Sequence, residues 1–253
     1  MELGLQGAKV LVSGGTRGIG RAIARAFAAE RANVSICARD GAEVSRTVAD
    51  LAGEGGRIQG ACCDVADGEG VRAWVDQAAT AFGGVDVVVA NVSAMTMGAD
   101  ESEWRRSFET DLLGAVRLIR AAEPWLAASP RAAIVTIGSV LAREIDTSGG
   151  PYGSLKAALV HYTQSLAATL AARGIRANCV SPGATYSPDG VWARVEREQP
   201  DGFAATLRAH PSGRLARPEE VANAVLFLAS GAAGFVSGAH LVVDGSASRG
   251  IQF

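Results

Sequence analysis

The feature that most constrains this chain is an alternation. Short runs rich in β-branched residues fall near 8–13, 33–37, 57–62, 86–91, 132–138, 175–181 and 240–244. Longer stretches with helical spacing separate them, at 18–30, 40–53, 67–82, 101–127, 151–173 and 218–230. Several of the runs, such as "DVVVAN" at 86–91, are apolar without alternation, as expected of strands covered on both faces. Strands and helices in this order build an α/β fold, a parallel sheet with helices on both sides. The chain carries no repeat and no Pro/Ser-rich linker, so it is read as one domain spanning 1–253. The stretch 186–213, with Pro188, Pro200 and Pro211, fits the pattern least and reads as an insertion after the sixth strand.

Composition removes several function classes. A formal net charge of −2 and a pI near 6.0 give no electrostatic case for nucleic acid or an anionic membrane. No apolar run approaches the roughly 20 residues of a spanning helix, and the N-terminus lacks a basic start followed by an apolar stretch. Cys37, Cys62, Cys63 and Cys179 have no CxxC spacing and read as reduced thiols, while His161, His210 and His240 have no ligand spacing. The expectation is a cytoplasmic protein without a metal.

In open sheets of this type, ligands sit beyond the C-terminal ends of the strands. The first strand runs into "SGGTRGIG" at 13–20, directly before a helix. Gly14 allows the tight turn, Gly18 a close approach of backbone to a pyrophosphate, and Gly20 close packing of helix on strand. The helix start then offers free N–H groups and a positive dipole end to phosphates. The second strand ends in Ala38-Arg39 where an NAD site usually presents an acid. Arg39, with Arg17 from the glycine turn, forms a corner suited to a 2′-phosphate and hence to NADP(H). The alternative is that Arg39 pairs with Asp40 or Glu43 on the surface. Asp64, at the third strand end, can accept from an adenine amino group or cap the helix beginning near Asp67. Asn91 ends the fourth strand, near the ribose and the reacting carbonyl.

At the reacting end, the fifth strand delivers Ser139, and Tyr152 and Lys156 follow four residues apart on one helix face. Reducing a ketone requires a proton for the developing alkoxide. A free tyrosine titrates near pH ~10, and an adjacent ammonium favours the phenolate, so Lys156 tunes Tyr152 as the proton donor. Ser139 can hydrogen-bond the substrate oxygen and stabilise its charge.

These pieces resemble the short-chain dehydrogenase/reductase family, in the single-domain branch that includes 3-oxoacyl-[acyl-carrier-protein] reductases. The matching motifs are "GGTRGIG", "CDV", "IGSV", "YGSLK", "SPG", "GRLARPEEVANAVLFLAS" and "VSGAHLVVDG", in the family's order from about Leu5 to Gly245. The resemblance implies a Rossmann fold with a doubly wound seven-stranded parallel sheet and a catalytic Ser139–Tyr152–Lys156 group. It implies cofactor contacts from Gly14, Arg17, Gly18, Ile19, Gly20, Arg39, Asp64, Val65 and Asn91, and from Pro182, Gly183 and Thr185 at the nicotinamide amide. It also implies a homotetramer, or a homodimer, built on the fourth and fifth helices.

Departures from the family pattern fall at the site. Asp111 stands where the family usually has an asparagine that organises a proton-relay water. Asn91-Val92-Ser93 replaces Asn-Ala-Gly, and Thr185-Tyr186-Ser187 ends the usual Pro-Gly-x-Ile-x-Thr differently. Arg31 stands where a glycine commonly closes the first helix. The substrate wall is expected from Ser93, Met95, Met97, Leu141, Arg143, Tyr186, Trp192 and Phe203. These groups suit a ring or an acyl chain, with Arg143 either meeting an acidic substrate group or pairing with Glu144 or Asp146. Trp192 and Phe203 can equally pack an inserted helix onto the body. The first reading is an NADPH-dependent carbonyl reductase acting on a ketone or an acyl thioester. The alternatives are an NADP-dependent dehydrogenase of a cyclic or aromatic alcohol and a non-catalytic NADP(H)-binding protein.

Overall fold

The computed structural model describes residues 2–96 and 98–249; Met97, expected in the substrate wall, lies outside the described residues. Seven strands form one sheet: β1 (Lys9–Ser13), β2 (Asn33–Ala38), β3 (Ile58–Cys62), β4 (Val87–Ala90), β5 (Ala133–Ile137), β6 (Arg176–Pro182) and β7 (His240–Val243). Their spatial order is β3-β2-β1-β4-β5-β6-β7, and every pairing is parallel. The seven-stranded doubly wound sheet expected from the sequence is therefore the observed one. The order reverses between β1 and β4, so the crevice for a ligand opens at their C-terminal ends.

Residues alternate between the two faces of each central strand, and both faces are covered. Val10 and Val12 of β1 join one apolar cluster with α1 (Gly18–Ala29), α2 (Gly41–Leu51) and α9 (Pro218–Ala229), through Ile23, Phe27, Val44 and Val225. Leu11, between them, joins the other cluster with α3 (Gly68–Phe82), α5 (Gly114–Ala127) and α6 (Tyr152–Leu170), through Trp74, Leu118 and Leu159. Burial on both faces explains the unbroken apolar runs. The helix starts follow local chemistry: Asp40 accepts from the Ala42 and Glu43 amides to cap α2, and Asp67 accepts from the Glu69 amide to cap α3.

One stretch differs from the sequence expectation, and another gains detail. The helix expected over 101–127 is broken into α4 (Glu101–Ser107), a π-helical turn at Phe108–Leu113, and α5. Arg117 braces that turn by donating to the Glu109 carbonyl and, at 2.6 Å, to its carboxylate. The wider turn carries Asp111 inward and leaves it 1% exposed. The segment 186–213 contains two helices, α7 (Val191–Glu198) and α8 (Pro200–Ala209), with one buried residue, Ala193, between them. Among the described residues no helix is long and apolar enough to cross a membrane.

Candidate active site

The glycine turn is closed from three directions. The Gly14 amide donates to the Cys37 carbonyl of β2 at 2.8 Å, and the Asn91 side-chain amide donates to the carbonyls of Ser13 and Gly14 at 2.9 and 3.2 Å. A Cβ on Gly20 would lie 2.1 Å from the Gly14 carbonyl oxygen and 2.5 Å from Asn91 Nδ2, so only glycine fits there. Gly18 opens α1 at φ +51°. Asn91 thus serves the turn itself, fixing it from the neighbouring strand end, and the first amides of α1 are left facing the crevice.

Beside this turn stand Arg17 and Arg39, both exposed. Neither forms an ion pair within the described residues, because the neighbouring carboxylates are engaged: Asp40 caps α2, and Glu43 accepts from Thr16 Oγ1. The surface pairing of Arg39 with Asp40 or Glu43 is not what forms. Two free guanidiniums beside unpaired helix amides make a corner able to take a phosphate monoester. Asp64 accepts from the Ala66 amide at 3.0 Å, while the cap of α3 falls to Asp67. The Val65 side chain is buried in the core against Gly114, and Ile19 packs partly buried beside the α1 cluster.

Across the crevice, β5 and α6 bring the reactive side chains together. Ser139 follows β5, is 6% exposed, and accepts from the Leu141 amide at 3.2 Å. Tyr152 opens α6, and Lys156 Nζ lies 5.7 Å from its ring centroid. That Nζ donates to the Ile137 carbonyl at 3.0 Å and stands 3.4 Å from Asp111 Oδ1. Asp111 Oδ2 accepts from Ser107 Oγ and the Ala94 amide, each at 3.0 Å. Ser107 was not singled out in the sequence; its signal is its place one turn before Asp111. A hydroxyl, a phenol and a buried ammonium at one strand end can hold a carbonyl oxygen and give it a proton. Burial raises the Cys179 thiol on β6 above its usual range, although the Lys156 charge pulls the other way.

The remaining candidates divide. β6 ends at Pro182, and the Gly183 amide donates to the Val243 carbonyl. Thr185 forms an isolated parallel bridge with Ala216, and its hydroxyl donates to the Gly183 carbonyl at 3.0 Å. Tyr186 and Trp192 both meet Phe203, with ring centroids 6.2 and 6.4 Å apart. The Tyr186 hydroxyl donates to Glu196 at 2.7 Å, and that bond to a carboxylate holds the phenol above its usual range. Ser93 accepts from the amide of Met95, which is 44% exposed and sits at φ +49°. Leu141 lines a cavity of about 350 Å³ with Trp104, Glu144, Asp146, Gly153 and Ser154. Arg143 lies close enough to His240 on β7 for its charge, added to burial, to lower that imidazole.

The family model described as Enoyl-(Acyl carrier protein) reductase matches residues 14–248. The chain belongs to the short-chain dehydrogenase/reductase family. It is 40% identical to isoepoxydon dehydrogenase patN of Penicillium expansum, over all of this chain and 99% of that one. It is also 40% identical to a cis-4-hydroxycyclohexanecarboxylate dehydrogenase of Sinomonas cyclohexanicum, over 93% of this chain and 94% of that one. A short-chain dehydrogenase from Burkholderia cenocepacia, solved in complex with NADP, superposes with a TM-score of 0.86 at 32% identity, covering 96% of this chain and 98% of the other. Membership makes the chain an NAD(P)-dependent oxidoreductase acting on CH–OH and C=O groups.

Proposed function

We propose that the chain is an NADP(H)-dependent carbonyl reductase in which Tyr152 gives a proton to a ketone oxygen. The observation that carries this reading is the convergence of Ser139, Tyr152 and the buried Lys156 at one strand end. The residues at the β1–β4 end of the crevice fit the cofactor: a turn that a Cβ at Gly20 would fill, and two guanidiniums without carboxylate partners. The glycine turn and α1 amides would hold the pyrophosphate, Arg17 and Arg39 the 2′-phosphate, and Asp64 the adenine edge. The NADP bound to the Burkholderia relative supports that preference. When bound, the reduced nicotinamide supplies the hydride.

The rest is the work of this chain. Ser139 Oγ donates to the substrate oxygen and fixes its direction. The Tyr152 phenol donates its proton as charge develops on that oxygen. Lys156, charged and 2% exposed, steadies the phenolate left behind. The segment of α7 and α8, whose Trp192 and Phe203 cluster with Tyr186, would cover the substrate.

A second reading shares this chemistry and changes the substrate: a cyclic secondary alcohol and its ketone. The aromatic cluster of the cap suits a ring, and the name of the Sinomonas relative denotes a hydroxylated cyclohexane. The deciding experiment follows NADPH absorbance with an acetoacetyl thioester and, separately, with 4-oxocyclohexanecarboxylate. Turnover of either, falling at least about a thousandfold in Tyr152→Phe, establishes the reductase and selects its substrate class. Turnover that survives in Tyr152→Phe overturns the assignment of the proton donor.

A further inference from the structure

Two buried side-chain oxygens have no hydrogen-bond donor among the described residues, Thr96 Oγ1 and Asp111 Oδ1. The second faces the Lys156 ammonium at 3.4 Å, and the side chains of this pair are 1% and 2% exposed. Every other ion pair of the described residues leaves both partners at least 24% exposed. The lysine–aspartate pair alone is sealed from solvent.

Its geometry is held from several elements. Ser107 and the Ala94 amide fix Asp111 Oδ2, while the Ile137 carbonyl fixes Lys156 Nζ. On α4, Arg106 donates to the Ala94 carbonyl at 3.2 Å and pairs with Glu103 at 3.8 Å. On the π-helical turn, Glu109 is taken up by Arg117. In the loop before α6, Asp146 accepts from the Ser148 and Gly153 amides, and Glu144 accepts from the Arg249 amide. From β6 comes the neutral thiol of Cys179, and from β5 only the Ile137 carbonyl and the Thr136 hydroxyl. Arg143 in the same loop lies toward His240.

A lone buried ammonium draws a neighbouring phenol toward its phenolate. A carboxylate on the far side of that ammonium subtracts from the pull, and burial of both side chains weakens the screening of that difference by bulk solvent. We propose that Asp111 is an electrostatic positioning residue: its carboxylate offsets the Lys156 charge and keeps the Tyr152 phenol protonated to higher pH, favouring proton delivery to a carbonyl. The inference rests on the assignment of Tyr152 as proton donor and extends it to the direction of the reaction.

The test is a pH titration of phenolate absorbance on the whole cofactor-free chain, in wild type, Tyr152→Phe and Asp111→Asn. The chain has three tyrosines. Burial holds Tyr162 above the ordinary range, and the bond to Glu196 does the same for Tyr186, so the signal missing from Tyr152→Phe is assignable. In Asp111→Asn that signal should appear at least about half a pH unit lower. The alkaline fall of carbonyl reduction should move by the same amount, with the KM for NADPH unchanged. An unmoved signal, or one displaced to higher pH, overturns the proposal. Should Asp111→Asn fail to fold, Asp111→Ser removes the charge while keeping a small polar group, and the same displacement is required of it. Failure of the proton-donor assignment has another signature, persistent turnover in Tyr152→Phe whatever the titration shows.

Discussion

Helix α1 buries Gly20, Ile23, Ala24, Phe27 and Ala28 against the sheet, whereas α8 buries nothing and α7 only Ala193. The first follows the glycine turn after β1, and the second pair lies between β6 and α9. On the α1 side, the turn at 14–20 is locked to β2 and β4 by hydrogen bonds from Gly14 and Asn91. On the cap side, position depends on two ring contacts, the Tyr186–Glu196 bond and the bridge of Thr185 to Ala216. The glycine turn is therefore part of the core, and a change there is felt by the whole fold. The α7–α8 segment is lightly fastened, and under the proposed function a change there should be felt mainly by the substrate.

The largest test of this contrast is Gly20→Ala. The added methyl would meet the Gly14 carbonyl at 2.1 Å, and backbone held by β2 and β4 cannot retreat. We expect loss of about 1–3 kcal/mol of stability from overpacking. NADPH binding should weaken by at least about a hundredfold (roughly 2.7 kcal/mol) as the turn opens, read by nucleotide fluorescence and thermal denaturation. Next comes Arg39→Ala, which touches the same corner at its exposed edge. It should weaken NADPH binding about tenfold and leave NADH unchanged, since a charge-assisted contact on the surface contributes about 1.4 kcal/mol. Equal losses for the two nucleotides would remove the 2′-phosphate role from this side chain.

The same contrast governs what the sequence made legible. Strand–helix alternation and two-sided burial follow from local spacing, so β1 to β7 were readable within a residue or two of their ends. Gly14 and Gly18 were readable from the positive φ the turn requires, and Gly20 from the missing room for a Cβ. Three things were not. The π-helical turn has no local spacing signature; it appears because Asp111 must reach Lys156, forty-five positions later in the chain. The engagement of Asp40 and Glu43, which leaves Arg39 free, depends on how α2 is capped and where Thr16 points. The cavity that Leu141 lines with Trp104 and Gly153 is made by residues far apart in the chain, so it left no local signal. Local periodicity carried the scaffold, while the site required knowing which distant side chains meet.

The smallest expected effect is in the cap and is the sharpest test of the comparison. Phe203 is the ring shared by both aromatic contacts, 6.2 Å from Tyr186 and 6.4 Å from Trp192. Such pairs contribute about 0.5–1.5 kcal/mol each beyond the area they bury, and among the described residues no other aromatic pair links α8 to α7 or to the strand end. Phe203→Ala should therefore raise the KM for substrate about five- to tenfold by loosening the cover. NADPH affinity should stay as it was, because the ring contacts of Phe203 are to Tyr186 and Trp192, whereas the proposed cofactor corner is built from Arg17, Arg39 and the glycine turn. The thermal midpoint should move little, since α8 contributes no buried residue to either core cluster. A midpoint falling as far as that of Gly20→Ala would mean that the cap unfolds with the sheet as one cooperative unit. Specificity would then be built into the core, and the division between a rigid cofactor side and an adaptable substrate side would not hold.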